Sequence, residues 1–157
     1  MPLANKRLLA SLALCFLAEG LGGLFTAQSV GTWYLTLQKP VFNPPGWLFG
    51  PVWTLLYLLM GLSLYLIWNT RNTGIKKTAI LVFAVQLILN VSWSLAFFGM
   101  QSIIGGLIII VSLWLAIGLT IYRFRQISRL AAGLLLPYLV WVSFATILNY
   151  ALWRLNP

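Results

Sequence analysis

Aromatic rings are the chemistry-bearing residues of this chain. Eight Trp, six Tyr and nine Phe stand in 157 residues, against one acid, Glu19, and no histidine. Several fall at helical spacing. Gln86, Asn90, Trp93 and Phe97 form one stripe, Tyr138, Trp141, Ala145 and Asn149 a second, and Trp53, Tyr57, Met60 and Leu64 a third. Residues three and four apart share a helix face. Three helices can therefore aim rings and a few amides at one shared space. Such a space, under a stiff aromatic cover, suggests a binding pocket.

Other chemistry is excluded by composition. One acid cannot form a carboxylate pair, and without histidine there is no Ser-His-Asp or Cys-His arrangement. A zinc site needs about four clustered N, S or O ligands, so no metal site is expected. Cys15 is the only cysteine; it cannot form an intrachain disulfide and reads as a small buried hydrophobe. No glycine-rich phosphate loop precedes a helix. The net charge of +9 does not signal nucleic acid, because the cations sit in short links between apolar segments, as in a membrane protein.

The elements that position the rings follow from hydropathy. The chain is 61% hydrophobic and 7% charged, where soluble domains carry about 25% charged residues. A membrane-crossing helix needs roughly 20 mostly apolar residues. Five segments qualify, about 8–27, 47–68, 78–98, 103–122 and 130–153. The expectation is an all-α, single-domain bundle of five transmembrane helices over 1–157. The first segment follows Lys6 and Arg7 like a signal peptide. Its apolar run is longer than a signal core, Glu19 interrupts it, and no small-x-small cleavage site follows.

The first link, Trp33 to Trp53, carries Pro40, Pro44, Pro45 and Pro51 among aromatic residues. Proline fixes φ and removes a donor, and it pushes the preceding residue toward extended geometry. A stiff cover over the bundle is expected. The link at Gly99–Ser102 is short enough to make the flanking helices a tight antiparallel pair. Eight cations (Lys6, Arg7, Arg71, Lys76, Lys77, Arg123, Arg125, Arg129) fall on one side and two (Lys39, Arg154) on the other. Cationic links stay cytoplasmic, so in a bacterial plasma membrane the N-terminus lies inside and the cover outside.

Structural roles compete for the same residues. Intramembrane Gln86, Asn90 and Asn149 also serve as interhelical hydrogen-bonding groups. Trp33, Trp47, Trp68 and Trp153 lie near span ends, where indoles anchor at the interface. The direction of Trp114 is open. Glu19, beside Gly20, Gly22 and Gly23, is either a proton- or ligand-linked group or a tie to another helix or the loop. The glycines favour close helix approach. Pro137 either kinks the last span or sits where its missing N–H is harmless.

The longest patterns resemble a known family. Trp33-Tyr34-x-x-Leu37-x-Lys39-Pro40, Pro44-Pro45 and Gly50-Pro51-Val52-Trp53-x-x-x-Tyr57-x-x-Met60-Gly61 are similar to the signature of the translocator protein family, whose bacterial members are called tryptophan-rich sensory proteins. Gln86-Leu87-x-Leu89-Asn90-x-x-Trp93, Phe97-Phe98-Gly99 and the run Pro137 to Arg154 continue the likeness over nearly the whole chain. The resemblance implies five transmembrane helices, a homodimer, and a pocket under the first link. It implies binding of porphyrin or haem as ligand, with no cofactor required, and in some members sterols. The membrane would be the bacterial inner membrane, or the mitochondrial outer membrane in a eukaryote.

Carried over by position, the ligand-binding candidates are Tyr34, Pro44, Trp53, Tyr57, Asn90, Trp93, Trp141, Ala145 and Asn149. Lys39, the only cation in the first link, joins them as the partner of a propionate. Leu148, Tyr150 and Arg154 fit a sterol-recognition pattern, a weak one wherever it occurs; its plain reading is an interfacial Tyr and Trp with a snorkelling Arg. One departure matters: haem ligation through histidine is impossible here. Iron would have to find Cys15, a Tyr, a Met or nothing, so metal-free rings are expected to bind without penalty. Three functions compete. The first is carrying, sensing or scavenging of tetrapyrroles. The second is light-dependent porphyrin degradation with Trp53 and Trp141 as electron partners. The third is a transporter with alternating access, whose ion-coupled form a single intramembrane acid and no visible inverted repeat disfavour.

Overall fold

A computed structural model describes residues 3–71 and 73–157. The described residues form seven α-helices: α1 (Leu3–Ser29), α2 (Trp33–Thr36), α3 (Gly46–Trp68), α4 (Gly74–Ser94), α5 (Ile103–Arg125), α6 (Arg129–Leu134) and α7 (Leu136–Leu155). No strand occurs among the described residues. Five continuous stretches are long and apolar enough to cross a membrane: α1, α3, α4 with its extension to Gly99, α5, and α6–α7 together. The chain is an integral membrane five-helix bundle.

Local chemistry sets the helix ends, and they run past the expected spans. Thr73, Ser102 and Ser128 accept hydrogen bonds from the backbone N–H of Lys76, Gly105 and Ala131. These are N-caps that satisfy otherwise orphaned donors. Thr73 starts the third span at Gly74 rather than near 78. Arg123 and Arg125 lie in the last turn of α5, where cations suit the negative end of the helix dipole; α5 therefore continues past 122. The fifth span is two helices broken at Leu135, and Pro137 sits in the first turn of α7, where its missing N–H does least harm.

α1 packs along α3 and α4, α4 along α5, α5 along α7, and α3 against α6. At the cation-rich end the core is solid. Ile67, Phe83, Phe124, Ala131 and Leu135 are buried there, and Phe83 stacks on Phe124 at 5.8 Å between ring centres. Gly61 lets α1 and α3 touch: a Cβ there would come within 2.7 Å of Leu12 Cδ2 and 3.2 Å of Leu12 Cα. Gly22 does the same for α1 and α4, a Cβ there lying 3.2 Å from Ser94 Oγ. Gly20 and Gly23 face open space instead, so close approach explains only one glycine of that trio.

The first link is a held strap. It contains the short helix α2, which its prolines and rings do not announce. Tyr34 Oη donates to Asn43 Oδ1 at 2.8 Å, closing the strap on itself. Gln38 and Asn156 exchange two bonds of 2.9 Å, clasping it to the end of α7. Trp47 (74% exposed) and Trp153 at the strap end, and Trp68 at the cation-rich end, suit interfacial anchoring. Trp33 does not: its ring packs edge-on against Phe97 at 5.5 Å.

Candidate functional site

α4 positions the site through a change of helix type. The five residues that follow it, Leu95–Gly99, form a π-helical turn. The wider turn shifts the register by one residue, so Phe97 and Phe98 are both buried, at 2% and 8% exposure. Such turns occur frequently at functional sites. The four-three-four stripe anticipates Phe97; a regular helix would turn Phe98 elsewhere. The two rings meet edge to face at 4.8 Å, and Tyr34 of the strap rests on both.

Between this aromatic block and the strap lies a cavity of about 580 Å³. All ten sequence-derived candidates line it: Tyr34, Lys39, Pro44, Trp53, Tyr57, Asn90, Trp93, Trp141, Ala145 and Asn149. Trp53 is the hub of its rings, with centres 5.9 Å from Tyr57 and 6.5 Å from both Trp93 and Trp141. Phe49, one turn before Trp53 on α3, adds an edge contact of 5.9 Å to Trp141. Small residues of α1 and α3 line part of the wall. There a Cβ on Gly23, Gly46 or Gly50 would meet nothing within 4 Å.

The cavity floor is a closed polar chain. Tyr57 Oη donates to Asn90 Oδ1 at 2.8 Å, Asn90 Nδ2 donates to Tyr138 Oη, and Tyr138 Oη donates to Gln86 Oε1 at 2.9 Å. Trp93 Nε1 donates to Asn149 Oδ1 at 3.1 Å, and Asn149 Nδ2 donates to Ile103 O at 3.0 Å. Buried polar groups must be paired, and these amides pair with the protein itself. Tyr138 and Gln86 lie behind the wall, so Gln86 serves as interhelical glue, while Asn90 and Asn149 serve both wall and glue. The indole N–H of Trp141 is buried with no acceptor among the described residues.

Lys39 Nζ donates to Leu35 O at 3.3 Å and Leu37 O at 3.1 Å, and stands 4.9 Å over the Tyr34 ring. It is held at the strap edge of the cavity, with one proton beyond those two bonds. Burial raises the Tyr34 phenol above its ordinary pKa, partly offset by the bond to Asn43; it stays a neutral donor at physiological pH.

α1 supplies a wall that sequence reasoning leaves open. Glu19, Gly22, Gly23, Thr26, Ala27 and Val30 line the cavity at spacings of three and four. The Glu19 carboxylate accepts from Thr54 Oγ1 of α3 at 2.6 Å. Both alternatives for Glu19 thus meet: it ties α1 to α3, and it faces the cavity. The signal was present in the 19-22-23-26-27-30 period, but small residues at that spacing read equally as helix packing.

The sterol pattern splits. Leu148 is buried on the cavity wall, whereas Tyr150 is 50% exposed and lies 5.8 Å from Trp153 on the outer surface, with Arg154 exposed beside it. Trp114, 40% exposed, donates to Ser143 Oγ at 2.7 Å across to α7. For iron ligation, Cys15 is fully buried in the core and Met60 lies under Gln86; neither is on the wall. Among the described residues no cluster of His, Cys, Asp or Glu could hold a metal.

The chain is 48% identical to the tryptophan-rich protein TspO of Chlorobaculum tepidum, over 98% of this chain and 99% of that protein. It is 48% identical to the tryptophan-rich protein TspO of Archaeoglobus fulgidus, over 96% and 97%. It is 40% identical to the human translocator protein, over 79% of this chain and 75% of that protein. The family model described as TspO/MBR matches residues 11–154. A five-helix membrane bundle with this span of likeness belongs to the TspO/MBR family.

Proposed function

We propose that this protein binds a tetrapyrrole, such as protoporphyrin IX or haem, in the cavity under the strap, and acts in its transport, sensing or scavenging. The observation that carries this reading is the cavity of about 580 Å³ walled by Trp53, Trp93, Trp141, Phe49, Phe97 and Phe98. A flat macrocycle stacks on such rings, and its carboxylate arms suit Lys39 at the strap edge. Free-base rings bind at least as well as haem, because the wall offers iron no histidine, cysteine or methionine, and its two tyrosines, Tyr34 and Tyr57, have their hydroxyls engaged with Asn43 and Asn90.

Titration of the purified protein with protoporphyrin IX, read by tryptophan quenching, tests the reading. Saturable quenching at one ring per chain supports it; quenching that rises without saturation overturns it. Lys39→Gln should weaken binding about two- to fivefold, the scale of a partly exposed ion pair. Unchanged affinity would remove Lys39 from the site.

A second reading, light-dependent degradation of the bound porphyrin, is favoured by the contact of Trp53 with Trp93 and Trp141 at 6.5 Å. Those indoles could pass an electron to the excited ring, with dioxygen as terminal oxidant. A new absorbing product formed under light and air, and lost in Trp53→Phe or Trp141→Phe, supports this reading; equal bleaching in those variants counts against it.

The cation-rich end is assigned to the cytoplasm and the strap to the opposite face, by the eight-to-two bias of Lys and Arg. Sterol contact, if the pattern is used, falls on the outer face of α7 at Tyr150 and Arg154 rather than in the cavity. A homodimer completes the proposal, and cross-linking in native membranes reads it.

A further inference from the structure

Hydrogen-bonding capacity is left in the cavity at the Trp141 Nε1 donor, at one proton of Lys39 and at the Glu19 carboxyl group, the one acid among them. Asn90, Tyr57, Trp93 and Asn149 bond one another or the backbone, and Asn43 takes the Tyr34 hydroxyl. Glu19 is different. It is the only acid in the chain, it faces the cavity, and its one hydrogen bond among the described residues is from Thr54 to Oε1. Its second oxygen, Oε2, has no hydrogen-bond partner among the described residues, so acceptor capacity remains. Intramembrane acids that face a cavity are commonly ligand counter-groups.

The position of Glu19 adds direction. Ser29, at the strap end of α1, bonds Phe98 O. Glu19 lies ten residues earlier on the same helix, about 15 Å deeper at 1.5 Å rise per residue. The cavity is therefore bipolar, with the Lys39 cation at the strap and an acceptor deep between α1 and α3. A matching ligand carries carboxylate arms on one edge and N–H donors on the opposite edge. The N–H groups of a closed porphyrin sit at its centre, reachable only over the ring face, and a metallated ring has none. An open-chain tetrapyrrole lacks the fourth bridge, so its N–H groups can be reached in the plane of the rings through the gap on the side opposite its carboxylates.

We infer that Glu19, oriented by Thr54, is the acceptor for the N–H edge of a bound ligand and makes the cavity selective for open-chain tetrapyrroles over closed metallated ones. The inference rests on the tetrapyrrole reading above. Hydrogen bonds from N–H to a carboxylate are roughly twice as strong as neutral ones, and they strengthen in low dielectric.

The test is tryptophan quenching by two probes, biliverdin and nickel protoporphyrin IX, on the intact protein, Glu19→Gln and Thr54→Val. The intact protein should bind biliverdin more tightly. Glu19→Gln should weaken biliverdin roughly tenfold or more, the scale of a charge-assisted bond, and leave nickel protoporphyrin within about twofold, a uniform loss from misfolding being separated by that second probe. Thr54→Val, at an exposed position, should weaken biliverdin less than Glu19→Gln. If both probes bind and Glu19→Gln changes neither, or changes both equally, Glu19 is not the acceptor. A larger loss in Thr54→Val than in Glu19→Gln would move the contact to Thr54 and overturn the assignment. If neither probe binds the intact protein, the tetrapyrrole reading itself fails, and the inference with it.

Discussion

The two ends of this bundle use the same kinds of residue to opposite effect. At the cation-rich end, Phe83, Phe124, Ile67 and Leu135 interlock with no more than 1% exposure each. At the strap end, rings just as large stand around a space of about 580 Å³. The glycines mark the difference. A Cβ at Gly61 would strike Leu12, whereas at Gly50 it would meet nothing. Between the halves lies the chain Tyr57–Asn90–Tyr138–Gln86, which closes the floor of one and the ceiling of the other. Aromatic content therefore does not make a pocket. The placement of small residues and a rigid cover decide whether rings fill space or surround it.

The comparison can be broken by substitutions matched across the floor. The largest effect is expected from Phe83→Ala, which removes a stacked ring from the solid half. It should cost about 3–5 kcal/mol of stability in detergent unfolding while leaving protoporphyrin affinity per folded molecule unchanged. A loss of affinity in the folded fraction would show the halves to be coupled. Next, Gly61→Ala should cost about 1–3 kcal/mol by overpacking against Leu12, and Gly50→Ala should stay within about 0.5 kcal/mol of the parent. Equal costs would mean that the strap-end gap is not open. Smallest in stability terms is Trp53→Leu. It should weaken protoporphyrin binding about two- to tenfold, the worth of one ring contact, with little change in unfolding temperature.

Much of the fold was legible because hydropathy is a long-range signal. Runs of about twenty apolar residues allow few alternatives, and the five spans appear in the expected order. The ends were less legible because caps act locally. Thr73 alone moves the start of α4 by one turn, and the break at Leu135 has no apolar signature. The site divides in the same way. The stripes on α3, α4 and α7 carry large residues at helical spacing and were readable as one surface. The stripe on α1 is built from Glu19, Gly22, Gly23, Thr26, Ala27 and Val30. There the information lies in missing side chains, and absence reads equally as a packing face or a cavity wall. The π-helical turn at Leu95–Gly99 was not readable, because a one-residue change of register leaves composition and period nearly unaltered.

The central claim is that the strap-end half is hollow and that its hollow holds the ligand. Gly50→Phe tests it most directly, since Gly50 lines the cavity and has open space where a side chain would go. Protoporphyrin IX titration of this variant, beside its unfolding temperature, should show saturable quenching abolished and stability near that of the parent. A variant that folds normally and still binds protoporphyrin IX with parental affinity would contradict the claim and place the ligand elsewhere.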